Sequence, residues 1–145
     1  MQVDFWQLSE DPVERVIPLI ARRTREAGEK LLVVSTVGEQ LEKIDRSLWE
    51  MLPDAFLAHG YADQPHAERQ PLLLGQECQA QNGARFIAFA DGEWRDEALQ
   101  YQRTFLLFGD DRIGHARECW KALGKVDGLK RKFWRQEDGK WREGP

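Results

Sequence analysis

Lys30 to Thr36 reads KLLVVST, four aliphatic residues in a row between polar ends. A strand with one wet face alternates polar and apolar residues, so this unbroken run predicts a strand covered on both faces. Before it, VDFWQL (3–8) reads as an opening strand and SEDPVERVIPLIARRTREAG (9–28) as a helix. Ser9 or Asp11 is placed to cap that helix, with Pro12 in its first turn. Val13, Val16, Ile17, Leu19 and Ile20 fall to one side, and Gly28 closes the segment. Pro18 lacks the N–H an interior position needs, so it should bend the helix or delay its start. Strand, helix and strand within about 35 residues make a βαβ unit, whose crossover should be right-handed.

The pattern continues in the same style. GEQLEKIDRSLWEML (38–52) spaces Leu41, Ile44, Leu48 and Leu52 for burial on a second helix that Pro53 ends. FLAHGY (56–61) is a candidate short strand, and RQPLLLG, ARFIAFA and RTFLLFG are three further apolar runs bounded by Gly, Pro or charge. Asp110 or Asp111 caps a last helix, expected from Arg112 to Val126. After Gly128, LKRKFWRQEDGKWREGP is a strand, or a hairpin turning at Asp138-Gly139. No repeat, low-complexity tract or linker interrupts the chain. The expected architecture is one domain over residues 1–145, a three-layer α/β/α sandwich with a mostly parallel, mixed sheet of about five strands.

Parallel α/β sheets often hold nucleotides in the loops after their strands. Here those loops read SEDP, STVGEQ, ADGEW and FGDDR. None is a glycine-rich loop ending in Gly-Lys-Ser/Thr, and none is a G-x-G-x-x-G turn. The expectation is a nucleotide-binding-like scaffold without its phosphate cradle, and with no bound cofactor.

Composition bounds the partners. The 145 residues carry a formal net charge of −4 and only two cysteines, Cys78 and Cys119, too few for a secreted disulfide scaffold. The N-terminus lacks the basic and long apolar regions of a secretory signal, and no apolar run is long enough to span a bilayer, so the expected address is the cytoplasm. His115 and Cys119 lie one helical turn apart, but the other histidines are distant in sequence, which argues against a closed metal site. Charge is unevenly spread: residues 1–110 hold 11 basic and 19 acidic side chains, residues 111–145 hold 10 and 6. A basic end on an acidic body points to a local anionic partner rather than to wholesale coating by nucleic acid.

Catalytic signatures are absent. Ser9, Ser35, Thr36, Cys78 and Cys119 are the nucleophile candidates, and none stands in a nucleophile elbow or a Cys/His signature. His59 and His115 would serve as bases only if the fold brought them to a nucleophile. An enzyme is therefore the third reading. The second is direct binding of single-stranded nucleic acid by the interleaved bases and aromatics of the last segment, chiefly Lys130, Lys132, Trp134 and Arg135. Alternation along a strand, however, sends Phe133 and Trp134 to opposite faces, so at least one of them belongs to the core.

The first reading rests on HARECWKALGK, His115 to Lys125. On a helix, Ile113, Ala116, Trp120 and Leu123 share one side, while Arg117, Lys121 and Lys125 form an i, i+4 row beside it. Trp120 stands where the two stripes meet. An apolar seat with a cationic rim suits a peptide bearing an aromatic anchor and an acidic run. A second block, IDRSLWEMLPDAFLAHG (Ile44–Gly60), gathers Trp49, Phe56 and His59 around a helix end; with Leu48 facing the core, Trp49 sits at the helix border.

These two blocks resemble the chi subunit of bacterial DNA polymerase III: IDRSLWEMLPDAFLAHG is similar to that family's Leu-Asp-x-x-Leu-Trp…Phe-x-x-His segment, and ARECWK to its Ala-Arg-Glu-x-aromatic-Lys helix. The strands VDFWQL and KLLVVST and the basic-aromatic end follow in the expected order, so the resemblance spans essentially the whole chain. It implies a non-enzymatic subunit of the clamp-loader assembly that binds the acidic, phenylalanine-ended C-terminal tail of single-stranded DNA-binding protein. It also implies a psi subunit as second partner, with DNA engaged only indirectly and no membrane. By motif position, Arg117 and Lys121 would meet tail carboxylates, Trp120 would help form the aromatic seat, and Trp49 and Phe56 would contribute to the neighbouring surface; Ile113, which stands where the family can carry a basic residue, joins the candidate tail-binding set by its helical spacing from Trp120.

Overall fold

The computed structural model describes residues 1–51 and 57–144. Leu52, Pro53 and Phe56, named above, lie outside the described residues. The chain opens with β1 (Gln2–Gln7), α1 (Val13–Glu26), β2 (Leu31–Val34) and α2 (Gly38–Glu50). It continues with β3 (His59–Tyr61), β4 (Leu72–Gly75), β5 (Phe86–Phe89) and β6 (Arg103–Phe108). It closes with α3 (Ile113–Leu123), β7 (Lys130–Glu137) and β8 (Lys140–Glu143), joined by a turn in which Asp138 and Gly139 take φ of 52° and 75°. Positive φ at both turn residues matches the right-handed twist of a two-residue hairpin, so the hairpin alternative is the one adopted.

One mixed sheet results, in the order β3-β4-β2-β5-β6-β1-β7-β8. Its pairings are parallel except for the last, β7 with β8. The expectation of about five strands is corrected to eight. The additional strands are short and carried by backbone pairing rather than apolar pattern: β3 is only HGY and the edge strand β8 is KWRE. α3 is also shorter than expected, because Asp110–Arg112 forms a 3-10 turn ahead of it and Gly124 follows Leu123. α1 starts directly after Pro12 and runs on through Pro18, so the proline does not delay it; the bond it forgoes is the one to the carbonyl of Glu14.

β2 shows why an unbroken aliphatic run was needed. Leu31 and Val33 pack with Val16, Ile17 and Ile20 of α1 and Leu41, Ile44 and Leu48 of α2. Leu32 and Val34 join a second cluster that contains Ala116, Cys119 and Leu123 of α3. Burying four aliphatic side chains stabilises the fold by about 1.5–3 kcal/mol each.

Two polar features sit within this apolar frame. Asp4 on β1 is fully buried, accepting from Gln2 Nε2 at 2.7 Å and from Arg103 Nε at 3.0 Å. The guanidinium of Arg103 lies 4.9 Å from the Phe105 ring centroid. At the carboxyl ends of β2 and β5, the carboxylate of Asp91 accepts from the Thr36 N–H at 3.0 Å, the Glu93 N–H at 3.1 Å and Arg95 Nη2 at 2.7 Å. A carboxylate of the chain itself thus engages the loop amide at a place where nucleotide-binding α/β sheets present donors to a phosphate.

The Asp91 cluster gives a pH prediction. Burial acts to raise the Asp91 pKa, but the Arg95 hydrogen bonds, the Thr36 and Glu93 amides and the Arg95 charge outweigh it and hold the carboxyl below its ordinary range. The folded state therefore favours the ionised form. Its contribution is complete above the unfolded-state pKa, about 4, and is lost as pH falls through the lower folded-state value. Urea unfolding should show wild type more stable than Asp91→Asn at pH 7, with the gap narrowing steadily below about pH 4. A gap independent of pH would refute the assignment.

Candidate functional site

α3 presents its residues as the helical spacing predicts. Ala116, Cys119 and Leu123 are buried against the sheet, Ile113 and Trp120 are half-buried along one flank, Arg117 and Lys121 are exposed, and Lys125 is exposed just past the end of α3. The three cations form no ion pair among the described residues, so the row carries its full charge toward solvent. Burial pushes the Cys119 thiol up to about 12, with the nearby Asp96 adding to the shift. Cys119 is thus a packing residue rather than a nucleophile.

The Trp120 indole is held from below and from the side. Phe5 on β1 meets it edge-on with ring centroids 5.2 Å apart, and Phe133 on β7 does so at 5.9 Å. Phe5 and Phe133 stand opposite each other in the parallel register of β1 and β7, their rings stacked at 6.3 Å and 9°. The indole is therefore a ledge supported by two aromatic side chains and not sealed within the core.

Sequence reasoning missed the residue on top of that ledge. Arg131, two residues before Phe133 and on the same face of β7, places its guanidinium carbon 4.3 Å from the Trp120 ring centroid. Its Nη1 donates to the Trp120 carbonyl in the last turn of α3. The alternation Arg131–Phe133 was visible in the sequence. That β7 would lie parallel to β1, beside α3, was not.

Trp49 lies elsewhere. Its exposed ring stands 4.5 Å from that of His59, on edge strand β3. His59 is held between the Leu57 carbonyl, 2.8 Å from Nδ1, and the Asp45 carboxylate at Nε2. Five strand spacings separate β3 from β1, roughly 24 Å at about 4.8 Å each. Trp49 and Trp120 therefore stand on different parts of the sheet; Phe56 lies outside the described residues.

The four residues of the nucleic-acid reading are divided. Trp134 stacks on Trp6 at 5.8 Å, and Trp141 meets Trp6 edge-on at 4.7 Å, on the face of α1. Lys130 and Lys132 share that face by alternation. Arg135 points to the other face and pairs with Glu137 at 3.0 Å. Lys130, Lys132 and Trp134 thus share one face of β7, and Arg135 lies on the other.

Among the described residues, no group of three or more His, Cys, Asp or Glu side chains is placed to hold a metal ion, and no helix is long and apolar enough to cross a membrane. The fold is a mostly parallel, mixed α/β sheet, and α3 carries the half-buried Trp120 beside exposed basic side chains. Comparison with curated proteins gives no match. Residues 1–130 match the family model of the DNA polymerase III chi subunit, HolC, and the chain belongs to that family. The family is an accessory, non-catalytic part of the polymerase. The match takes in β1–β6 and all three described helices and ends at the first residue of β7.

Proposed function

We propose that this chain is an adaptor of the clamp-loader assembly, binding the acidic C-terminal tail of single-stranded DNA-binding protein and coupling it to the cytoplasmic replisome. The observation that carries the reading is the supported Trp120 ledge on the helix of Arg117 and Lys121, which with Lys125 form no ion pair among the described residues. The cation row raises the encounter rate with an acidic tail, so binding weakens with salt. Burial of the terminal ring on the ledge then slows release, and Arg117 engages carboxylates with a planar donor fork. Ordering a flexible tail keeps affinity modest, and many tails on one coated strand raise effective concentration. The two core clusters on alternate strand residues support the three-layer arrangement expected of this family.

Coupling requires a second partner, a psi subunit or its equivalent. The exposed Trp49, on the far edge of the sheet from Trp120, supports a docking surface separate from that of the tail. With the two surfaces apart, both partners bind without competition.

Titration with an acidic peptide ending in Pro-Phe tests the tail reading. Saturable, salt-sensitive binding is expected, and Arg117→Ala should weaken it more than about tenfold, since a hydrogen bond to a charged group contributes about 1.5–3 kcal/mol. Equal binding by the variant would remove Arg117 from the site. Tighter binding of a bare oligonucleotide than of the peptide would favour direct nucleic-acid contact by the Lys130–Arg135 segment.

A further inference from the structure

We propose that Arg131 is a second ligand-binding residue of the Trp120 ledge, the group that takes the terminal carboxylate of the bound peptide, and that Gly124 is the residue that lets it do so. The proposal rests on the tail-binding reading above and adds to it which cation reads the chain end. Arg131 lies one residue beyond the stretch matched by the family model, so it belongs to the chain's own final hairpin.

Arg131 is a half-buried guanidinium that forms no ion pair among the described residues. One of its five N–H donors goes to the Trp120 carbonyl, and its plane is held near the indole. A partly desolvated cation without an ion partner among the described residues favours an anion, and a guanidinium with donors to spare favours a planar, two-oxygen one. A carboxylate meets both requirements.

The position of the cation selects a terminal carboxylate over a side-chain one. In a C-terminal aromatic residue, ring and carboxylate branch from the same Cα. The cation that reads such an end must stand beside the aromatic seat, as Arg131 does at 4.3 Å. With one part of the indole under Arg131, the ligand's ring takes the remainder of the ledge beside Ile113. The exposed row Arg117, Lys121 and Lys125 is left to meet the acidic residues upstream.

Gly124 fixes this arrangement. A Cβ at that position would stand 3.0 Å from both Cζ and Nη1 of Arg131, closer than ordinary contact. Its φ of −63° suits any residue, so alanine there strains no backbone and only pushes the flexible guanidinium aside. Gly124→Ala thus displaces Arg131 without deleting it.

The experiment titrates two acidic peptides ending in phenylalanine, one with a free carboxylate and one with a C-terminal amide, against wild type and the variants Arg131→Ala, Arg131→Lys and Gly124→Ala at fixed salt. Wild type should prefer the free acid by about tenfold or more. Arg131→Ala should bind the free acid only as well as the amide. Arg131→Lys should not restore the preference, because an ammonium lacks the planar fork. Gly124→Ala should reduce the preference with thermal unfolding unchanged, which keeps the test decisive if Arg131→Ala fails to fold. Undiminished preference in Arg131→Ala or, where that variant does not fold, in Gly124→Ala would overturn the assignment while leaving tail binding intact. Binding of neither peptide by wild type would overturn the tail reading and this assignment with it.

Discussion

Phe5→Ala should lower the unfolding free energy by about 3–5 kcal/mol, the usual cost of emptying a buried aromatic site. Phe5 is fully buried and touches the two rings on which the platform depends, Trp120 at 5.2 Å and Phe133 at 6.3 Å. Its removal opens a void between β1, β7 and α3, and neither strand can collapse into it without breaking the ladder that sets their spacing. Trp120 can tilt into that space, so peptide binding should fall as well, even at temperatures where the variant is folded. Phe5→Leu keeps most of the volume and should cost less than about 1.5 kcal/mol. Urea unfolding with an unchanged m-value, together with peptide titration, reads both effects. A loss below about 1 kcal/mol for the alanine variant would show that the aromatic stack is not what supports the ledge.

Arg103→Ala is expected to cost about 3–5 kcal/mol for a different reason. Asp4 has no exposed side-chain surface, whereas Arg103 is 36% exposed, so the pair is a buried carboxylate held by a half-exposed cation. Deleting the cation leaves the carboxylate in the sheet with the Gln2 amide as its remaining side-chain donor. The packing of Arg103 on Phe105 is lost at the same time. Asp4→Asn in the Arg103→Ala background should recover much of the loss, because it removes the uncompensated charge, and a double-mutant cycle measures that coupling. A cost under about 1 kcal/mol, with no recovery in the double variant, would place the pair among ordinary surface salt bridges.

How much of this was legible in the sequence depends on whether the signal was local. The aliphatic run Leu31–Val34 and the spacing Leu41, Ile44 and Leu48 reported burial faithfully, because helix and strand periods act over a few residues. The same logic put Trp120 at the border of the α3 stripe, where the structure has it. Strand number was less legible: FLAHGY and the hairpin at Asp138-Gly139 were readable as candidates, but HGY and KWRE are short and carry little apolar signature, and their place in the sheet rests on backbone pairing with β4 and β7. Arg131 was visible as one base among several, but its position over Trp120 depends on a register between β1 and β7 that no window of sequence contains. Trp49 shows the converse difficulty. Two motifs carried together in one family resemblance sit at opposite ends of the sheet, since motif order along a chain says nothing of strand order across it.

The strand order has a further consequence for biosynthesis. β1 precedes the other strands of the sheet along the chain, yet its two neighbours, β6 and β7, come only after β2 to β5. At about 5–20 residues per second, the segment holding Phe5 and Trp6 stays without either flanking strand for several seconds. During that interval its apolar side chains are open to chaperones and to mispairing, and the aromatic platform cannot exist until Phe133 has emerged.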